Sequence, residues 1–332
     1  MGNLSPLTPS SSSTATSSST ATSTSAAPDG IAQPIDMAAG YGDRVRAGVS
    51  LGGGGVWFVA WQVAYLHELN ERGVDLAGAD RVIGTSAGSV VASVLEAGNL
   101  SRLHTEMKLM ARLPKIVSAL APAADLSPSQ LRALDMFGSA PDADPERVRR
   151  IGHAALAADT PAPAVMARNV ALLLASRGWP SPTLHVTCVD AFTGERCVLT
   201  ASSGVPLRRA VAASSAVPGL FAPQPIGARK CMDGGVSGSG THLDLLGGAR
   251  RAVVVSLTDG AGVEQGRMTV APGSIEREVE ELRGTGTEVL FRMPAGPVDL
   301  ERLMDPTAVP GAIELGRTQA ADDAAELRKF LA

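Results

Sequence analysis

Apolar and polar positions alternate with two periods along this chain, and glycines mark where one period gives way to the other. Residues 45–51 (VRAGVSL) have the short, β-branched character of a buried strand and run directly into four consecutive glycines, 52–55. The next apolar stretch, roughly 57–72, is long enough for a helix, and Gly73 stops it. The unit then repeats: strand 81–84, a glycine-flanked turn, and a helix of small residues over 87–97 that ends at Gly98-Asn99. Two strand–glycine–helix units in succession predict a parallel sheet with helices packed on its faces.

From 100 to 180 the strand signal is absent. Ser127-Pro128-Ser129-Gln130 has the spacing of a capping box, and Asp144-Pro145 reads as an N-cap followed by proline in the first turn. This stretch reads as an inserted helical cap. Its apolar stripes (Leu103, Met107 and Met110; Val170, Leu173 and Leu174) suit either core packing or the lining of an acyl-chain channel. Strands return at 184–189 and 196–199, flanking a hairpin turn at Phe192-Thr193-Gly194-Glu195. A helix over 206–214, strands at 230–232 and 251–257, a helix over 276–283, a strand at 288–292 and a helix over 317–330 complete the pattern.

Composition narrows what such a fold does. The chain has 332 residues, and 10–27 are almost wholly Ser, Thr and Ala, too polar to offset chain entropy by burial. The expected organisation is a disordered tail, 1–42, and one α/β domain, 43–332, with the helical insert at 100–180. Hydrophobic residues make up 45% but aromatics only 3%, so Ala, Val and Leu must build the core, and Trp57, Phe58 and Trp61 serve either that core or a lipid-facing rim. A net charge of -4 gives no reason to expect a nucleic-acid partner. Neither a secretory leader nor a run of about twenty apolar residues is present, which predicts a cytoplasmic protein with no membrane span. Three cysteines, Cys188, Cys197 and Cys231, are too few and too scattered for a disulfide framework or a metal knuckle.

The candidate chemistry sits at the glycine turns. Gly84-Thr85-Ser86-Ala87-Gly88 has the form G-x-S-x-G, which holds a serine on a sharp strand-to-helix turn; a capping serine is the plainer alternative. Consecutive glycines at Gly53, Gly54 and Gly55 let backbone N–H groups converge on an anion, and no Lys-Ser or Lys-Thr follows to make a phosphate loop. Of the five histidines, only His242 lies late enough, near Asp233, to serve as a base in the manner of an α/β-hydrolase. Asp233 follows a strand and precedes Gly234-Gly235, where a carboxylate could take the serine proton directly.

Taken in order, the glycine run, the G-x-S-x-G turn some thirty residues later and the late Asp-Gly-Gly resemble the patatin-like phospholipase family of serine lipid acyl hydrolases. A fourth block, Ala213-Ser214-Ser215-Ala216-Val217-Pro218-Gly219-Leu220-Phe221, resembles the family's A-S-x-A-x-P-x-x-F segment. The resemblance spans roughly 45–260. It implies a three-layer α/β/α sandwich around a mostly parallel sheet, with Ser86 as nucleophile and Asp233 as general base. Gly53, Gly54 and Gly55 would supply the oxyanion hole, and Gly84, Gly88 and Gly234 would shape the turns. It implies a lipid or acyl-ester substrate, transient contact with a membrane surface, and no metal or other cofactor for the chemistry. The family's glycine loop carries Arg or Lys just after the glycines; here Val56, Trp57 and Phe58 stand there. A relative that binds lipid or a partner without catalysis remains the alternative.

Overall fold

The computed structural model describes residues 29–112, 126–176, 178–259 and 273–332. The Ser/Thr/Ala-rich stretch at 10–27 lies outside them. Strand β1 (Ala47–Leu51) leads through the glycines into helix α1 (Gly55–Glu71), and β2 (Arg81–Thr85) leads through Ser86 into α2 (Ala87–Glu96). Between 100 and 180 the described secondary structure is helical: α3 (Leu100–Met110), α4 (Pro128–Gly138), α5 (Pro145–Ala157) and α6 (Pro163–Leu174). Both N-terminal signals expected there are formed. Ser127 and Gln130 make the reciprocal capping box, and the Asp144 side chain accepts from the N–H groups of Glu146 and Arg147. Then follow β3 (Leu184–Asp190), β4 (Arg196–Leu199), α7 (Leu207–Ser214), β5 (Gln224–Ile226), β6 (Arg229–Asp233), β7 (Arg251–Val255), α8 (Ser274–Gly284), β8 (Glu288–Arg292) and α9 (Val309–Leu331).

The strands form one eight-stranded sheet. Its parallel part runs β3-β2-β1-β7-β8, while β4, β5 and β6 join antiparallel around β3. Strands β1, β2 and β7 are buried on both faces, as their near-continuous apolar runs require. On one face Val49, Leu51 and Val253 pack with α1, α2 and α9; on the other Ile83, Ala252 and Val254 meet Ile275, Val279 and Leu282 of α8. A third cluster joins Val189 and Met232 to Val148 and Ile151 of α5. The architecture is the three-layer α/β/α sandwich expected from the sequence.

Two choices left open by the sequence fall toward the core. Phe58 and Trp61 are fully buried and stack in series with Tyr65 along α1, while Trp57 is half-buried against the same cluster. Leu103, Met107, Val170 and Leu174 are buried too, with Met110 packed partly against them, whereas Leu173 of the same stripe is exposed.

Residues 29–42, grouped with the tail from composition, join the fold. Ala32 bridges Cys197 on β4, the Gln33 N–H donates to the Arg196 carbonyl, and Ile31 is buried. The anchor is Arg196, a guanidinium whose side chain is only 2% exposed. It pairs with Asp244 at 2.7 Å and donates to the carbonyls of Gln33 and Pro34 at 2.9 and 2.7 Å. Composition does not reveal this, because one cation on a distant strand supplies the hydrogen bonds.

Removing one partner of such a pair leaves a buried charge uncompensated. We expect Arg196→Met to destabilise the fold by about 3–5 kcal/mol, read as a lowered urea midpoint. The double variant Arg196→Met/Asp244→Leu should recover much of that loss.

Candidate active site

The site is built on one edge of β3. Strand β4 pairs with 186–189 of β3 and so occupies its other edge. Strands β2 and β6 both overlap that segment, β2 pairing with 184–187 in parallel and β6 with 188–190 antiparallel. They therefore share the remaining edge and run toward each other from opposite ends. Thr85 pairs with Thr187 and Asp233 with Cys188, adjacent positions, so the strand ends carrying Ser86 and Asp233 are brought together. The Thr85 and Thr187 hydroxyls share a hydrogen bond of 2.7 Å at the junction.

Ser86 is not a cap. It occupies the N-cap position of α2, yet its side chain caps nothing, and its backbone has φ 52° and ψ -120°. A positive φ in a residue with a Cβ is strained and needs outside support. The Ser86 N–H donates to Ser214 Oγ at 2.9 Å, and its carbonyl accepts from Ser89 Oγ at 2.7 Å and Ser215 Oγ at 3.2 Å. The next residue of that segment serves the other partner: the Asp233 N–H donates to the Ala216 carbonyl at 3.0 Å. Residues 214–216 thus clamp both sides of the junction. The sequence singled out this segment but not these individual roles.

Glycine is required by close approach at two positions above all. A Cβ on Gly88 would lie 1.8 Å from the Leu51 carbonyl oxygen, and one on Gly84 would lie 2.5 Å from Ser89 Cα. Gly234 faces neighbouring backbone closely as well, and a Cβ on Gly53 would lie 3.1 Å from Ser86 Cβ. The glycine loop is therefore packed directly against Ser86. Its three expected donors are not equivalent. The Gly53 N–H donates to the Gly240 carbonyl at 3.3 Å, whereas the N–H groups of Gly54 and Gly55 have no acceptor among the described residues. Gly53 lies against Ser86, and the next two residues of the same loop carry N–H donors with no acceptor among the described residues.

That loop has its own support. Ser50 Oγ donates to the Thr241 carbonyl at 2.6 Å, and the Gln62 amide donates to the Gly52 carbonyl at 3.1 Å. Glu278 of α8 accepts from Ser239 Oγ at 2.8 Å and Thr241 Oγ1 at 3.1 Å, fixing the segment whose Gly240 carbonyl receives Gly53. Burial pushes the Glu278 carboxyl up to about 7, against these two hydrogen bonds. Sequence reasoning passed over Glu278. Its signal was a carboxylate at helical spacing from the apolar stripe Ile275, Val279 and Leu282.

Asp233 is buried. Its Oδ1 accepts the Gly235 N–H at 2.8 Å, while Oδ2 has no hydrogen-bond partner among the described residues. Burial pushes its pKa up to about 6, and the nearby Ser86 hydroxyl and the Gly235 N–H oppose that rise. An unpaired oxygen next to a serine hydroxyl is the loose arrangement a proton acceptor shows before substrate arrives. His242 is placed differently. It is fully buried, with Nδ1 3.4 Å from the Arg196 guanidinium, and desolvation and that charge hold it well below the usual imidazole range. None of its hydrogen bonds among the described residues reaches Ser86.

The sequence pattern of the patatin-like phospholipase family matches residues 49–245, from β1 through the site to the turn after His242. The chain belongs to this family. In the patatin-like phospholipase domain, then, the glycine loop, Ser86, the 214–216 clamp and Asp233 all lie inside the matched region. No curated protein matches the chain. Among solved structures, it is similar to one titled as a crystal structure of the type III effector protein ExoU, at 19% identity and a TM-score of 0.29. That likeness covers 84% of this chain and 53% of the other, so the chain spans about half the length of that protein. Among the described residues no helix is long and apolar enough to cross a membrane.

Ionised Asp233 costs the fold stability. With a folded pKa near 6 and an unfolded one near 3.8, the folded state holds the extra proton between those values, so stability falls as pH rises through that window. We expect Asp233→Asn to be more stable than wild type above pH 7, by about 1–3 kcal/mol in thermal melts, with the gain vanishing below pH 4.

Proposed function

We propose that this patatin-like phospholipase is a serine hydrolase that cleaves carboxylic esters of lipids through a Ser86–Asp233 dyad. One observation carries the reading: an uncapped serine on a strained turn lies beside a buried carboxylate whose Oδ2 has no partner. Family membership supports the lipid substrate.

Ser86 Oγ attacks the ester carbonyl as its proton passes to Asp233 Oδ2. The negative charge that develops on the carbonyl oxygen is met by the Gly54 and Gly55 N–H groups and the N-terminal end of α2, each well-aimed donor lowering the barrier by about 3 kcal/mol. Collapse of the tetrahedral species breaks the ester C–O bond, and Asp233 returns the proton to the departing alkoxide. Water then attacks the acyl-serine, giving its proton to Asp233, which returns it to Ser86 Oγ as the acyl C–O bond breaks and the acid leaves. A carboxylate near pKa 6 is a better proton acceptor at neutral pH than an ordinary aspartate, and burial supplies that change. Val56, Trp57 and Phe58 leave the loop without a basic residue, so no side chain there offers a charge to a phosphate headgroup. Contact with a membrane surface would be transient, made while the substrate is drawn from it.

An alkyl fluorophosphonate should label Ser86 alone, and Ser86→Ala should abolish both labelling and ester hydrolysis. Asp233→Asn should retain the fold and lose at least about 10³-fold in kcat. Labelling elsewhere, or full activity in Asp233→Asn with activity lost in His242→Asn, would replace the dyad by the histidine mechanism. In wild type, kcat/KM should rise with pH through about 6 and level off above it, because only the ionised carboxylate accepts the proton. A midpoint near 4 would show that burial does not raise the carboxylate, and a midpoint unchanged in Asp233→Asn would show that Asp233 is not the base.

A further inference from the structure

All three cysteines of the chain converge, against the expectation drawn from their spacing. They sit on three different strands, and the register brings them together. Cys188 on β3 stands opposite Cys197 on β4, and Cys231 on β6 stands opposite Asp190, two residues further along β3 and on the same face. Their sulfur atoms all lie within 4.8 Å of one another. All three are buried and unoxidised, on the side of the sheet that α7 covers, and nothing in the ester chemistry uses them.

We propose that Cys188, Cys197 and Cys231 form a three-coordinate site for one soft monovalent metal ion of the Cu(I) type. Three sulfurs around one ion at about 2.3 Å stand about 4.0 Å apart, so the observed cluster needs to contract by less than 1 Å. The donor set selects the ion. Sulfur ligands favour soft metals. Structural zinc requires a fourth ligand, and the obvious one is already engaged: Asp190 accepts the Phe192 N–H at 2.9 Å through Oδ1 and Arg229 at 2.8 Å through Oδ2. Binding would release the thiol protons to solvent. A bound ion would tie β3, β4 and β6 together two residues from Asp233.

The test is an anaerobic titration of the reduced full-length chain with Cu(I) supplied as its bicinchoninate complex. One Cu(I) per chain is expected, with three sulfur neighbours at about 2.3 Å by X-ray absorption of the wild-type protein. Cys197→Ser should bind at least about 10-fold more weakly while keeping its circular dichroism spectrum and ester hydrolysis. Absence of saturable 1:1 binding, a first shell with two sulfurs or with nitrogen and oxygen, or unchanged affinity in Cys197→Ser would overturn the proposal. The absorption measurement needs no variant, so a misfolded mutant does not protect the idea.

Discussion

The end-to-end meeting of β2 and β6 on a single edge of β3 is the constraint on which this molecule turns. Backbone pairing of strands distant in sequence places position 86 beside position 233, before any side chain of the site is considered. Each strand contributes only its terminal residue to the junction. The hydrogen bonds that finish it come from a third element, the end of α7 and the two residues that follow it. Strain at Ser86 is tolerable because its N–H and carbonyl are both held from outside.

The same arrangement explains the electrostatics. A carboxylate at the buried end of a strand loses its water, and one of its oxygens finds no hydrogen-bond partner among the described residues to replace it. That is poor for the stability of the fold and useful for a proton acceptor. Stability and reactivity are opposed at this residue, and a second buried carboxylate, Glu278, shows the contrast. Burial pushes it up as well, to about 7, but two hydroxyls donate to it and it serves to hold the glycine loop in place. The fold therefore holds one buried acid as structure and leaves another partly unpaired.

Much of this was legible in the sequence, for definite physical reasons. Glycines mark the points where a strand must turn sharply, so the β1–α1 and β2–α2 units, the Ser86 turn and the Asp233 turn stand out without coordinates. The caps at Ser127 and Asp144 are equally local. What escaped were features made by non-local pairing. Strand β5 is three residues long and gains its identity from β6. Residues 29–42 look like tail because their partner, Arg196, lies more than 150 positions away. The three cysteines look scattered because spacing along a chain says nothing of cross-strand register. Of the glycine loop, the sequence gives the donors but not their division, since the group that receives the Gly53 N–H is a carbonyl on a distant turn.

The pairing of β6 with β3 has one more consequence. A strand's side chains alternate between faces, so the pairing can move only by whole residues, and an odd step turns every side chain to the opposite side. Were β6 to slip by one, Met232 would take the place of the carboxylate and Asp233 would leave the junction. The separation of serine and aspartate is therefore set in discrete steps. In this chain a one-residue shift of β6 along β3 would act on the chemistry as a switch between complete and absent, with no graded weakening between.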